Sequence, residues 1–172
     1  LLVDATRLRL QADVPVGAYL SGGLDSSLIS AIARREIQSH LDTFSISFED
    51  ESFDESSFQR QMADFLGTDH QVVRARYEDI AEVFPEVIWH TEAPLLRTSP
   101  APMFLLSRLV QKNDYKVVLT GEGADEFLAG YDIFKEAKIR RFWARQPDSV
   151  WRAELFKRIY PDLAGLAKVN TR

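Results

Sequence analysis

Along the chain, apolar and polar residues follow two rhythms. Four short runs, VGAYL (16–20), TFSISF (43–48), HQVV (70–73) and KVVLT (116–120), are rich in β-branched and aromatic residues and read as strands. Between them apolar residues recur every three to four positions, which predicts helices over SSLISAIARREI (26–37), SSFQRQMADFLG (56–67), YEDIAEVFPEVIWH (77–90) and PMFLLSRLVQKN (102–113). Asp54 or Ser56 is the expected cap of the second helix, and Pro85 predicts an irregularity in the third. LLVDATRLRLQ at the start has helical spacing as well. Strands separated by helices at this interval imply parallel pairing with right-handed crossovers. The stretch TEAPLLRTSPAP (91–102), with three prolines and no steady period, predicts an ordered irregular connection able to border a site.

Composition narrows the class. The 172 residues are 45% hydrophobic and 11% aromatic, enough for one full-sized core, so 1–172 reads as one domain or most of one, truncated at both ends. No apolar stretch reaches the roughly 18 residues that a membrane span needs, and no signal peptide opens the chain, so a soluble, cytoplasmic protein is expected. The sequence contains no cysteine, which excludes disulfides, thiolate metal sites and a cysteine nucleophile within this segment. Charge is uneven. Residues 1–134 carry 11 Lys and Arg against 22 Asp and Glu, whereas residues 135–172 carry 10 against 4. The basic KIRRFWAR reads as a solvated helix face, and the acidic remainder argues against a nucleic-acid partner. His40, His70 and His90 share no metal-ligand spacing, and Phe142, Trp143 and Trp151 read as packing residues.

The chemistry gathers at two strand ends. In an open parallel sheet, ligands bind beyond the carboxyl ends of the strands. After Leu20 the chain reads SGGLDSS (21–27): Gly22 and Gly23 permit a tight turn and a close backbone approach, and the following helix aims its unpaired amides at that turn. Hydroxyls of Ser21, Ser26 and Ser27 add donors, giving an anion cradle that lacks the lysine of the kinase-type phosphate loop. The second end, LTGEGADE (119–126), repeats the glycines at Gly121 and Gly123 and adds Glu122, Asp125 and Glu126. Acids beside a phosphate cradle need a cation, so Asp25 and Asp125 are candidate Mg²⁺ ligands. Glu122 is left for proton transfer or for orienting a substrate amine.

SGGLDSS resembles the pyrophosphate loop of the N-type ATP pyrophosphatases, and together with GEGADE (121–126) it resembles the synthetase domain of the glutamine-hydrolysing asparagine synthetase family. FSISFED, FDES and PMFLLSRL stand in the order that family shows. The resemblance implies an α/β fold of the adenine nucleotide alpha hydrolase type, with a five-stranded parallel sheet and helices on both faces. It implies ATP as substrate and Mg²⁺ as cofactor, with Leu20 and Ile46 meeting adenine through backbone atoms and Thr120 and Gly121 near the ribose and α-phosphate. Ser21, Gly22, Gly23, Ser26 and Ser27 would hold pyrophosphate, Asp25 and Asp125 the metal, with Glu122 and Asp125 as catalytic residues. The implied reaction is adenylation of the aspartate side-chain carboxylate followed by ammonia attack, giving asparagine and AMP. Implied partners are aspartate, ammonia and a glutaminase domain in the full-length protein, with room for a homodimer and none for nucleic acid or membrane. The family's catalytic lysine towards the C-terminus does not map onto Lys157 or Lys168, Ala93 and Arg97 stand where acids are expected, and AGY (129–131) replaces GGY. A relative acting on another acid, a nucleotide-binding module without catalysis, and a tRNA-modifying pyrophosphatase, against which the acidic first 134 residues weigh, are the alternatives.

Overall fold

The computed structural model describes residues 1–37 and 40–159; Lys168 lies outside them. The chain divides into two compact units, residues 1–122 and residues 123 onward. In the first, helix α1 (Leu2–Arg9) precedes strand β1 (Val16–Tyr19), α2 (Leu24–Glu36), β2 (Asp42–Phe48), α3 (Ser56–Leu66) and β3 (Asp69–Ala75). Helices α4 (Tyr77–Thr91) and α5 (Pro100–Lys112) then lead to β4 (Val117–Leu119).

All strand pairs are parallel, in the order β3-β2-β1-β4, with Ala18 opposite Thr43 and Leu119 and Phe44 opposite Gln71. Neighbouring residues point to opposite faces of such a sheet, and the packing follows. Ala18 and Leu41 pack with Ala33 of α2 on one side, whereas Phe44 packs with Leu106 and Val110 of α5 on the other. Helices therefore cover both faces, as expected for a parallel sheet. Val83 and Val87 of α4 join Ala101 of α5 in a further cluster. Helix α4 runs unbroken through Pro85.

The expectation of a five-stranded sheet is corrected: among the described residues the sheet has four strands. A fifth would need an extended run beside β3 or β4. The chain instead enters β1 from a helix, fills the passage from β3 to β4 with two helices, and leaves β4 for helices again. The cap expectation for α3 is also refined. Glu55 occupies the cap position, while Asp54 accepts the Phe48 amide at 3.1 Å and the Ser56 hydroxyl at 2.6 Å, tying the end of β2 to the start of α3.

The second unit holds α6 (Ala124–Leu128), α7 (Asp132–Ala144), α8 (Val150–Ala153) and a 3-10 turn (Glu154–Arg158). Its aromatic residues pack on one another, Phe142 edge-to-face on Trp151 at 5.5 Å and Trp143 on Phe156 at 6.0 Å. No described helix is long and apolar enough to cross a membrane.

Candidate functional site

Strand β1 delivers the chain to the carboxyl edge of the sheet, where Leu20 is the last residue held by it. Leu20 is fully buried, its amide donates to the Phe44 carbonyl at 3.0 Å, and the Ser45 hydroxyl donates to its carbonyl. The backbone then turns through Gly22, whose φ of +84° lies in the left-handed region. A side chain there would meet the Phe58 Cβ at 2.7 Å, so this glycine also lets α3 lie against the loop.

Helix α2 begins immediately afterwards with Gly23 as its cap, and no side chain satisfies its first amides beyond Ser21 Oγ, which accepts the Gly23 amide at 3.2 Å. Ser21 Oγ lies 2.8 Å from Ser26 Oγ, and Ser26 Oγ accepts the Ser21 amide at 3.2 Å and donates to the Gly23 carbonyl at 3.2 Å. The loop is thus locked by its own hydroxyls. The amides of Leu24, Asp25 and Ser26 belong to the first helical turn, which has no intrahelical acceptor for them. Such a turn carries about half a positive charge and favours an anion.

The end of β4 comes against this same turn. A Cβ on Gly121 would fall 2.7 Å from the Ser26 amide nitrogen and 3.1 Å from the Asp25 Cβ, so only glycine allows that approach. Thr120 precedes it, and Thr120 Oγ1 accepts the Glu122 amide at 3.4 Å; the Glu122 side chain is exposed. The first unit therefore brings Leu20, Ser21, Gly22, Gly23, Asp25, Ser26 and Ser27 together with Thr120 and Gly121. Ile46 lies two residues beyond the Phe44 contact to Leu20, and its carbonyl accepts the Gln59 side-chain amide at 2.9 Å.

Asp125 belongs to the second unit, on α6, and its Oδ1 lies 1.8 Å from where a Cβ on Gly130 would stand. Ala129, between them in the AGY stretch, has φ +59°. The carboxylates of Asp25 and Asp125 make no hydrogen bond or ion pair among the described residues.

Three close contacts were invisible in the sequence. Gln59 and Ser45 are polar residues in patterns that give no sign of burial, and Gly130 reveals its purpose only through the position of Asp125. His40, which shares no metal-ligand spacing in the sequence, gathers with Asp42 and Asp69 into a group able to hold a metal ion. His40 Nε2 lies 2.7 Å from Asp69 Oδ2 and 3.9 Å from Asp42 Oδ1, at the amino ends of β2 and β3 and away from the loop. Burial and the Asp42 carboxylate push the Tyr115 hydroxyl, which donates to Asp42, up to about 12.

Comparison with known proteins agrees with this geometry. The family model described as asparagine synthase matches residues 1–171. The chain is 36% identical over 166 residues to "Amidase chyE" of Penicillium rubens, covering 88% of this chain and 24% of that protein. It is 33% identical over 149 residues to asparagine synthetase [glutamine-hydrolyzing] 1 of Bacillus subtilis, covering 87% of this chain and 23% of the relative. Asparagine synthetase [glutamine-hydrolyzing] 2 of Arabidopsis thaliana is 41% identical over 144 residues, 77% of this chain and 25% of the relative. The chain spans about a quarter of the length of the curated relatives it matches. With its serine- and glycine-built loop at the end of β1 and its match along nearly every residue, the chain belongs to the asparagine synthase family.

Proposed function

We propose that this chain is the ATP-binding part of a carboxylate-activating, amide-forming ligase, and that the acid it activates is aspartate. The observation that carries the reading is the α2 turn: free amides and three serines behind Gly22 and Gly23, with the β4 end seated on them through Gly121. In this reading Ser21, Gly22, Gly23, Ser26 and Ser27 hold the pyrophosphate of ATP. Leu20 and Ile46 bound the adenine, with Thr120 and Gly121 near the ribose and α-phosphate. Asp25 and Asp125 hold Mg²⁺, which when bound offsets the charge of the pyrophosphate.

The aspartate side-chain carboxylate attacks the α-phosphorus, pyrophosphate leaves, and ammonia then displaces AMP from β-aspartyl-AMP to give asparagine. The task of the protein in the first step is to hold two anions together and stabilise charge on the departing pyrophosphate. Preorganised amides and hydroxyls, already fixed by the Ser21 to Ser26 contacts, suit that task because they need not reorganise as the charge moves. Glu122, exposed at the β4 end, serves the amine step. A glutaminase domain elsewhere in the full-length protein supplies the ammonia.

A second reading is favoured by a specific observation. Ala93 and Arg97 stand in the irregular connection where acids are expected, and relatives matched over 88% of the chain carry the name amidase. The activated acid would then be another carboxylic acid.

ATP–pyrophosphate exchange by the full-length protein, with aspartate, no acid or a panel of carboxylic acids, tests both. Aspartate-dependent exchange that falls at least tenfold in Asp125→Ala at unchanged thermal stability, and falls in Gly121→Ala together with stability, is the expected result. Exchange with a different acid alone transfers the assignment to the second reading, and absence of exchange with every acid leaves only nucleotide binding.

A further inference from the structure

A groove of about 360 Å³ opens on the sheet face covered by α3, along the edge strand β3. Its polar lining includes Ser47, Asp54, Gln59, Arg60, His70 and Arg74. Two of these residues bring buried atoms that have no hydrogen-bond partner among the described residues, Gln59 Oε1 and His70 Nε2.

Gln59 is only 3% exposed. Its Nε2 donates to the Ile46 carbonyl, which can only accept, so the orientation of the amide is fixed and Oε1 is left as an acceptor without a donor. His70 is held at its other nitrogen, where Nδ1 lies 3.0 Å from Thr43 Oγ1. Arg60 and Arg74 make no hydrogen bond or ion pair among the described residues. Asp54 faces the same space, yet both its oxygens are engaged, by the Phe48 amide and the Ser56 hydroxyl. The lining therefore offers two guanidinium groups without a hydrogen bond or ion pair among the described residues, one of them, Arg74, attracted to the hydrogen-bonded Asp54 carboxylate, and one orphan acceptor.

We propose that this groove is a binding site, separate from the α2 turn, for a small anionic metabolite bearing both carboxylate and ammonium groups, an acidic amino acid. Guanidinium groups match carboxylate oxygens in charge and planar geometry. The ammonium supplies the donor that Gln59 Oε1 lacks. A ligand of net charge −1 offsets the +1 of Arg60, Arg74 and Asp54 together. The volume lies at the small end of the range for small-molecule sites. Burial, and after it Arg60, hold His70 below the usual histidine value, with Asp64 of α3 opposing them, so a bound carboxylate would shift its titration upward.

The test is calorimetric titration of the full-length protein with glutamate, aspartate and inorganic phosphate, with a non-hydrolysable ATP analogue saturating the strand-end site. The expected result is one-to-one binding of glutamate, and for aspartate a second equivalent beside the substrate site, the groove's share weakened at least tenfold by Arg74→Ala or Arg60→Ala and by Gln59→Met, with the His70 NMR titration moving upward on binding. Both arginines are exposed, so their variants keep the fold, and Arg74→Glu provides a second reading of the same charge. Binding that the arginine variants leave unchanged, binding of phosphate alone, or no binding at all overturns the proposal. None of these outcomes bears on pyrophosphate exchange, which is measured separately.

Discussion

At Ala129 and Gly130 two adjacent small residues carry opposite demands. Ala129 sits at φ +59°, where an alanine Cβ crowds its own backbone at a cost of roughly 1–2 kcal/mol. Gly130 stands where any Cβ would fall on Asp125 Oδ1. The substitutions Ala129→Gly and Gly130→Ala should therefore act in different ways. The first relieves the strain but adds freedom to the unfolded chain, for a net gain of about 0.5–1 kcal/mol in chemical denaturation. The second displaces the Asp125 carboxylate. If Asp125 holds the metal, Gly130→Ala raises the Mg²⁺ concentration needed for half-maximal exchange several-fold while the melting temperature moves little. A loss of stability with an unchanged Mg²⁺ requirement would assign Gly130 to packing alone.

Among the elements, the connection from β2 to α3 shows how charge is used to hold a strand-end loop. Asp50 accepts the Ser52 amide at 2.9 Å, the Ser52 hydroxyl at 2.6 Å and the Tyr77 hydroxyl at 2.6 Å, linking this connection to the start of α4. The Ser52 hydroxyl first, then Tyr77, hold the Asp50 carboxyl down to about 2, against an ordinary value of 3.8. The folded state thus binds the Asp50 proton less readily than the unfolded one. The stabilisation is complete above about pH 4 and is lost as pH falls through about 2. Asp50→Asn should be less stable than the natural protein at pH 5, and the difference should shrink between pH 4 and pH 2 in urea midpoints measured across that range. A difference independent of pH would show that Asp50 acts without its charge.

These elements also mark how far the sequence could be read. The four strands and the main helices were legible because alternation and helical period are direct consequences of two-sided and one-sided burial. The strand-end cradle was legible because glycines and hydroxyls after an apolar run have few other uses. Helix α3 was less transparent. By period its apolar stripe is Phe58, Met62 and Phe65, yet Phe58 and Phe65 are 61% and 81% exposed while Gln59 and Ala63 face inward. The close approach of α3 to Gly22 leaves little room for a ring, whereas a small Ala63 and a hydrogen-bonded Gln59 fit. That choice is made by tertiary proximity, which no local pattern encodes. The five-strand expectation failed for a related reason: it came from a family's architecture, whereas the runs in this chain supply only four.

Over the whole molecule, the division of charge between an acidic first part and a basic last part invites a nucleic-acid partner for the second unit. Four of its cations, however, are engaged within the unit. Arg140 Nε donates to Glu136 at 2.6 Å and its guanidinium lies 5.2 Å from the Phe156 ring centroid. Arg152 donates to the Phe142 carbonyl at 2.7 Å and stacks over that ring at 4.1 Å. Lys135 pairs with Asp132 at 2.7 Å, and Lys157 pairs with Glu154. These cations cover aromatic surface and neutralise nearby acids, so their long stems contribute packing as well as charge. Phosphate backbones are instead bound by cations free to displace counterions, with a steep dependence on salt. Arg152→Ala should therefore cost roughly 1–2 kcal/mol of stability by chemical denaturation. Filter retention of tRNA by the full-length protein should be negligible at low salt, before and after the substitution. Saturable retention that falls steeply with salt, and that Arg140→Ala or Arg152→Ala abolishes, would turn the basic segment from an internal packing device into a nucleic-acid surface.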